Sequence, residues 1–225
     1  MTPAPIAVNL IGAGRIGGPV ADWLRTAAGL RLQAVIGRGD RDWPPAPLTI
    51  DTAGPEALRV FGAALLERGD LWTVGAAALL DPVLRARLEA VATRHGHVLR
   101  LFTGWISGPP LCPPAIPSRL HVIQIAPRLA PVPGLLFRGP LAEAAARFAD
   151  HLNTATAAAL AGPGIAGTSV ELHSSAGGGP HRITARFTMP GQVVKTAVTF
   201  GDGPHPVAAA LIAALARRGA WMRYG

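Results

Sequence analysis

The sequence predicts an α/β fold: a Rossmann-type, doubly wound parallel sheet followed by a second, smaller α+β domain built on a largely antiparallel sheet. Three observations lead there. A strand-length apolar run, Ile6 to Ile11, ends in Gly12-Ala13-Gly14-Arg15-Ile16-Gly17. Strand-like and helix-like stretches then alternate as far as Phe102. Beyond Gly104 the alternation gives way to extended segments separated by Gly-rich and Pro-Gly turns.

The elements follow in order. After the glycine run, Ile16, Val20, Leu24 and Ala27 recur at about one helical turn, with Asp22 and Arg25 on the other face. Gly29 stops that helix, and Leu30 to Ile36 forms a second strand. A loop holding Pro44, Pro45 and Pro47 leads into a third strand, Leu48 to Ala53, which closes on Gly54-Pro55. Proline is pre-organised for the first helical position, so Pro55 to Glu67 reads as a helix. Leu71 to Val74 is a fourth strand. Asp81-Pro82, an N-cap followed by proline, starts a helix that turns Leu84, Leu88 and Val91 inward. His97 to Phe102 is a fifth strand.

Six prolines from Pro109 to Pro127 mark a linker and an edge, with Leu120 to Ala126 extended. Leu141 to His151 is helical, and Thr154 to Ala161 continues or restarts it. Thr168 to His173, Arg182 to Met189 and Gln192 to Phe200 read as strands joined by hairpins at Gly177-Gly178-Gly179 and Pro190-Gly191. The last helix, Pro206 to Arg218, can pack on either unit. This reading gives a dinucleotide-binding domain at 1–108, a substrate, catalytic and dimerisation domain at 109–203, and a segment 204–225 returning to the first.

Composition narrows the function. The 225 residues are 49% hydrophobic, ample for a continuous core. The formal charge is +8, yet the basic residues are scattered arginines with one lysine, Lys195, which argues against a nucleic-acid face. One cysteine, Cys112, excludes an intrachain disulfide and a Cys-based zinc cage and suits a reducing cytoplasm. The apolar run Ile6 to Ile11 meets Gly12 and Arg15 too soon for a signal peptide, and Val207 to Ala216 is too short to cross a membrane.

The glycine fingerprint carries the chemistry. Gly12 permits a tight turn, Gly14 lets main-chain amides approach a pyrophosphate, and Gly17 allows close packing of helix on strand. At the tip of the second strand, Arg38 suits the 2′-phosphate of NADP, slightly favouring that cofactor, while Asp40 reaches the ribose of NAD if the loop turns back. Among seven histidines, His181 opens a strand after a Gly-Pro turn and is placed to exchange protons near neutral pH. His95 and His97 are explained by a solvated turn. No metal motif and no GxSxG nucleophile motif is present.

A series of motifs in consistent order resembles the L-aspartate dehydrogenases of the quinolinate-pathway type. The series comprises Gly12 to Gly17, Ile50-Asp51-Thr52-Ala53-Gly54-Pro55-Glu56-Ala57, Thr73-Val74-Gly75-Ala76 with Leu79 and Asp81-Pro82, and Thr103-Gly104-Trp105-Ile106-Ser107-Gly108. It continues with Phe137-Arg138-Gly139, Asn153-Thr154-Ala155-Thr156, Ala159-Leu160-Ala161-Gly162-Pro163-Gly164 and His181-Arg182-Ile183. The chain departs from the pattern in four places. The helix expected after Gly108 is mostly lost, and Gly179 stands where the family has asparagine. Ala126-Pro127-Arg128 replaces a Lys-Pro, and Trp105 replaces an alanine.

The resemblance implies oxidative deamination of L-aspartate or a related amino acid through an imine, or the reverse reductive amination, with NAD or NADP. It implies His181 as the acid/base, with Asn153, Ser107, Trp105 and Arg128 at the substrate. Gly12, Gly14, Arg15, Ile16, Gly17, Arg38, Ala53, Gly54, Gly75 and Ala76 would line the dinucleotide. A homodimer is expected from the fold. Two rivals are an imine reductase or other amino-acid dehydrogenase of the same fold, and a catalytically silent dinucleotide-binding protein.

Overall fold

The structure, a computed structural model, describes residues 4–37, 39–40, 42–102, 117–127, 129–175, 177, 179–203 and 205–218. Five parallel strands, β1 (Ile6–Ile11), β2 (Leu30–Ile36), β3 (Leu48–Asp51), β4 (Asp70–Thr73) and β5 (Leu99–Leu101), form one sheet in the order β2-β1-β3-β4-β5. The central β3 is buried along its whole length, as a strand covered on both faces must be. It stops at Asp51, two residues earlier than expected, because the main chain there leaves the ladder to start a turn.

Helices cover both faces. On one lie α1 (Gly17–Leu24) and, from the far end of the chain, a helix at Pro206–Ala216. Val20 and Leu24 pack there with Leu211 and Leu215 over Val8, Leu10, Leu48 and Ile50. On the other lie α2 (Pro55–Leu66) and α3 (Pro82–His95), whose Leu58, Leu65, Leu66 and Leu88 enclose Ile11, Ile36 and Leu71. The Asp81 carboxylate starts α3 by accepting from the Val83 and Leu84 amides at 2.8 and 3.3 Å, and Gly96, with φ of 68°, ends it.

The second sheet is mixed. Its strands are β6 (Arg119–Pro127), β7 (Gly134–Pro140), β8 (Thr168–Ser175), β9 (His181–Met189) and β10 (Gln192–Phe200), in the order β10-β9-β6-β8-β7. All pairs are antiparallel except β6 with β8. One expectation is corrected: β8 and β9 are not a hairpin, because β6 lies between them and pairs with both. Among the described residues, only the turn at Pro190-Gly191 closes a hairpin between paired strands. The edge strand β7 was not expected; its Gly139 and terminal Pro140 weaken a strand signal, and proline is tolerated at an edge.

One face of this sheet packs on α4 (Leu141–Phe148) and α5 (Asn153–Leu160), which a short 3₁₀ turn at Ala149–His151 separates. Its core holds Leu120, Val122, Val170, Leu172, Ile183, Ala185 and Phe187. A second 3₁₀ turn, Ala76–Leu80, follows β4 and inserts Ala77 into this core, linking the first unit to the second. The last helix, α6 (Pro206–Ala216), runs on from the second sheet and returns to the first.

Candidate functional site

In an open parallel sheet, ligands bind outside the C-terminal strand ends where the strand order reverses, here between β1 and β3. A cavity of about 720 Å³ opens at that point, lined by Gly12, Gly14, Gly37, Ala53, Glu56 and Phe61 among others. Gly12 turns the chain with φ of 82°, a conformation side chains disfavour. A Cβ on Gly17 would run into the Gly12 carbonyl and the Thr52 hydroxyl, so glycine there lets α1 sit directly on the strand ends. At Gly14 a Cβ would meet nothing within 4 Å, leaving open space beside the main chain.

The remaining expected residues separate into groups. Gly12, Gly14 and Ala53 line the cavity. Gly54 precedes α2, with Gly75 and Ala76 on the neighbouring loop after β4. Ile16 is partly buried and packs against the first core. At the tip of β2 the loop does turn back: the Gly37 amide donates to the Asp40 carboxylate at 2.7 Å. Arg38, Trp105, Ser107 and Arg128 lie outside the described residues.

His181 is the first residue of β9 and sits opposite Phe200 of β10. The two rings stack at 3.7 Å with 9° between planes, and His205 meets the same phenyl ring edge-on at 5.1 Å. The His205 Nδ1 accepts from the Val207 amide at 3.2 Å and so caps α6. Burial holds the His181 pKa below the ordinary imidazole range, and the positive charge of Arg15 adds to this. The same causes, with His181 itself, push His205 down to about 4. Both shifts favour the neutral imidazole. Asn153 opens α5, and its Oδ1 accepts from the Ala77 amide at 2.9 Å, tying the loop after β4 to the second unit.

Residue-type reasoning alone did not single out Phe200, His205, Asp51 or Thr73 for a role. The Asp51 carboxylate is buried at the end of β3 and accepts from the Ala53 amide at 2.9 Å and the Thr73 hydroxyl at 2.6 Å. Desolvation raises its pKa to about 6, against the lowering effect of those hydrogen bonds. Among the described residues no group of three His, Cys, Asp or Glu side chains is placed to hold a metal ion, and no helix is long and apolar enough to cross a membrane.

No protein-family model matches the chain. It is 32% identical over 221 residues to L-aspartate dehydrogenase 2 of Bordetella pertussis, covering 80% of this chain and 82% of that one. To the L-aspartate dehydrogenase of Ruegeria pomeroyi it is 31% identical over 257 residues, covering 97% and 87%. The crystal structure of aspartate dehydrogenase from Thermotoga maritima superimposes with a TM-score of 0.76 at 15% identity, covering 98% of this chain and 99% of that one. Identity at this level across most of both chains, with one shared two-sheet architecture, establishes that the chain belongs to the L-aspartate dehydrogenase family.

Proposed function

We propose that the protein is a nicotinamide-dinucleotide-dependent dehydrogenase that deaminates L-aspartate or a closely related amino acid, or runs the reverse amination, with His181 as its acid/base. The observation that carries this reading is His181 fixed at the mouth of β9 by stacking on Phe200, where burial favours its neutral form. When bound, the nicotinamide supplies a hydride acceptor at C4. The chain's own residues hold the reactants and manage the protons. Gly12, Gly14 and the start of α1 cradle the pyrophosphate, with Ala53, Gly54, Gly75 and Ala76 along the crevice.

A neutral imidazole can accept a proton. In the deaminating direction His181 takes one from the water whose oxygen bonds to the imine carbon, then returns it to the nitrogen so that the C–N bond breaks, releasing ammonia and leaving a 2-oxo acid. Stacking on Phe200 at 9° between planes fixes the orientation of the imidazole ring. Asn153 spends its carbonyl oxygen on Ala77 and keeps its amide NH₂ for substrate. Arg15, with the excess positive charge of the chain, favours a dicarboxylate. For the cofactor, the Asp40 carboxylate at Gly37 favours the ribose hydroxyls of NAD, whereas Arg38 favours NADP; assay with both nucleotides decides. We also propose a homodimer through the outer face of the second sheet and, from the single cysteine, a cytoplasmic location.

The test is the purified protein with each nucleotide and a panel of amino acids, following nucleotide reduction by absorbance. Turnover fastest with L-aspartate supports the reading, and turnover with a different amino acid reassigns the substrate. Nucleotide binding without turnover removes the activity. His181→Ala is expected to lower kcat by about 10²- to 10⁴-fold while leaving nucleotide affinity unchanged. A variant as fast as wild type would exclude His181 from the chemistry.

A further inference from the structure

Asp51 is buried, ionisable and unused by the mechanism above. Both of its oxygens are engaged. Oδ1 faces the amides of Ala53 and Gly54 at 2.9 and 3.4 Å, and Oδ2 accepts from the Thr73 hydroxyl at 2.6 Å. Thr73 in turn accepts from the Gly75 amide at 2.8 Å. A relay thus runs from the loop after β3, through one carboxylate and one hydroxyl, to the loop after β4. With 1% of its surface exposed and every oxygen committed to the main chain or Thr73, Asp51 has no route for proton exchange with a substrate in the crevice.

The neighbouring residue extends the arrangement to a third loop. The Thr52 hydroxyl lies 2.9 Å from the carbonyl oxygens of both Ile11 and Gly12, at the start of the glycine-rich turn. The fit between the other two loops is close: a Cβ on Gly75 would lie 2.6 Å from the Gly54 carbonyl oxygen. Ala53, Gly54 and Gly75 carry no polar side chains, so their own side chains cannot fix where these loops sit. A carboxylate in low dielectric is costly unless several donors meet it, and here the donors are the loop amides.

We propose that Asp51 and Thr73 are positioning residues that hold the loops after β3 and β4 in register along the crevice, and so set the affinity for a nicotinamide dinucleotide without touching it. This rests on the reading that the crevice takes such a nucleotide. Thr73→Val keeps the shape of the side chain and removes the hydroxyl, whereas Thr73→Ser keeps the hydroxyl.

The experiment measures dissociation constants of NADH and NADPH for the full chain by fluorescence, with KM for nucleotide and for amino acid measured separately. Thr73→Val is expected to weaken the preferred nucleotide about tenfold, as for a buried donor left unpaired. KM for nucleotide should rise in step and KM for the amino acid should not, and Thr73→Ser should bind within about twofold of wild type. A folded Thr73→Val that binds like wild type, or a Thr73→Ser as weak as Thr73→Val, would overturn the proposal. Where Thr73→Val does not fold, amide exchange in the nucleotide-free wild type decides: protected Ala53, Gly54 and Gly75 amides support the relay, and exchange at free-loop rates removes it. Wild-type protein that binds neither nucleotide defeats both readings together, whereas equal binding by wild type and Thr73→Val defeats this one alone.

Discussion

A buried carboxylate can hold a turn and still weaken the fold. Asp51 titrates at about 6 in the folded chain, against 3.8 when free, with desolvation as the larger cause. A raised carboxyl pKa means the folded state binds the proton more tightly than the unfolded state does. Its favourable contribution is complete below about pH 3.8 and is lost as pH rises through about 6, on the order of 3 kcal/mol in all. Urea unfolding at pH 4 and pH 7 should therefore show wild type losing stability relative to Asp51→Asn as pH rises, and parallel profiles would refute the assignment. The place of His181 at the start of a strand was legible in the sequence, through the Gly-Pro turn before it. Phe200 and His205 were not, because stacking depends on the β9–β10 register and on where α6 begins. The Asp51 relay was hidden for a similar reason: its members sit 22 residues apart and meet only because β3 and β4 are neighbours.

Elements with strong punctuation were readable. The Asp81-Pro82 start and Gly96 stop of α3 fall where side-chain capping and left-handed backbone place them. The first sheet came through because each βα unit declares itself locally. The second did not come through completely, since strands separated by turns read as hairpins unless a distant strand enters between them, as β6 does. The destination of α6 was left open by its uniformly apolar sequence, which offers no preferred face. In the structure, Leu211 is wholly buried with Val20 and Leu24 in the first core. Leu211→Ala should destabilise the fold by about 2–5 kcal/mol, read as a shift in the denaturant midpoint. A midpoint unchanged from wild type would mean that α6 does not complete that core.

Over the whole molecule, the outer face of the second sheet differs from the packed one. Glu171 there meets Arg138 at 3.0 Å, His121 at 3.4 Å and His173 at 3.3 Å, and the arginine hydrogen bond holds its carboxyl below the usual range. Leu135 and Val193 stand exposed on the flanking strands β7 and β10. Such a surface suits a symmetric contact between copies, and light scattering should give twice the 23.2 kDa chain mass; a monomer at micromolar concentration would rule it out. The position of α6 also bears on biogenesis. The hydrophobic face that α1 shares is closed by residues synthesised after the entire second sheet, so a ribosome-bound nascent chain carries a half-covered first unit until Pro206–Ala216 has emerged.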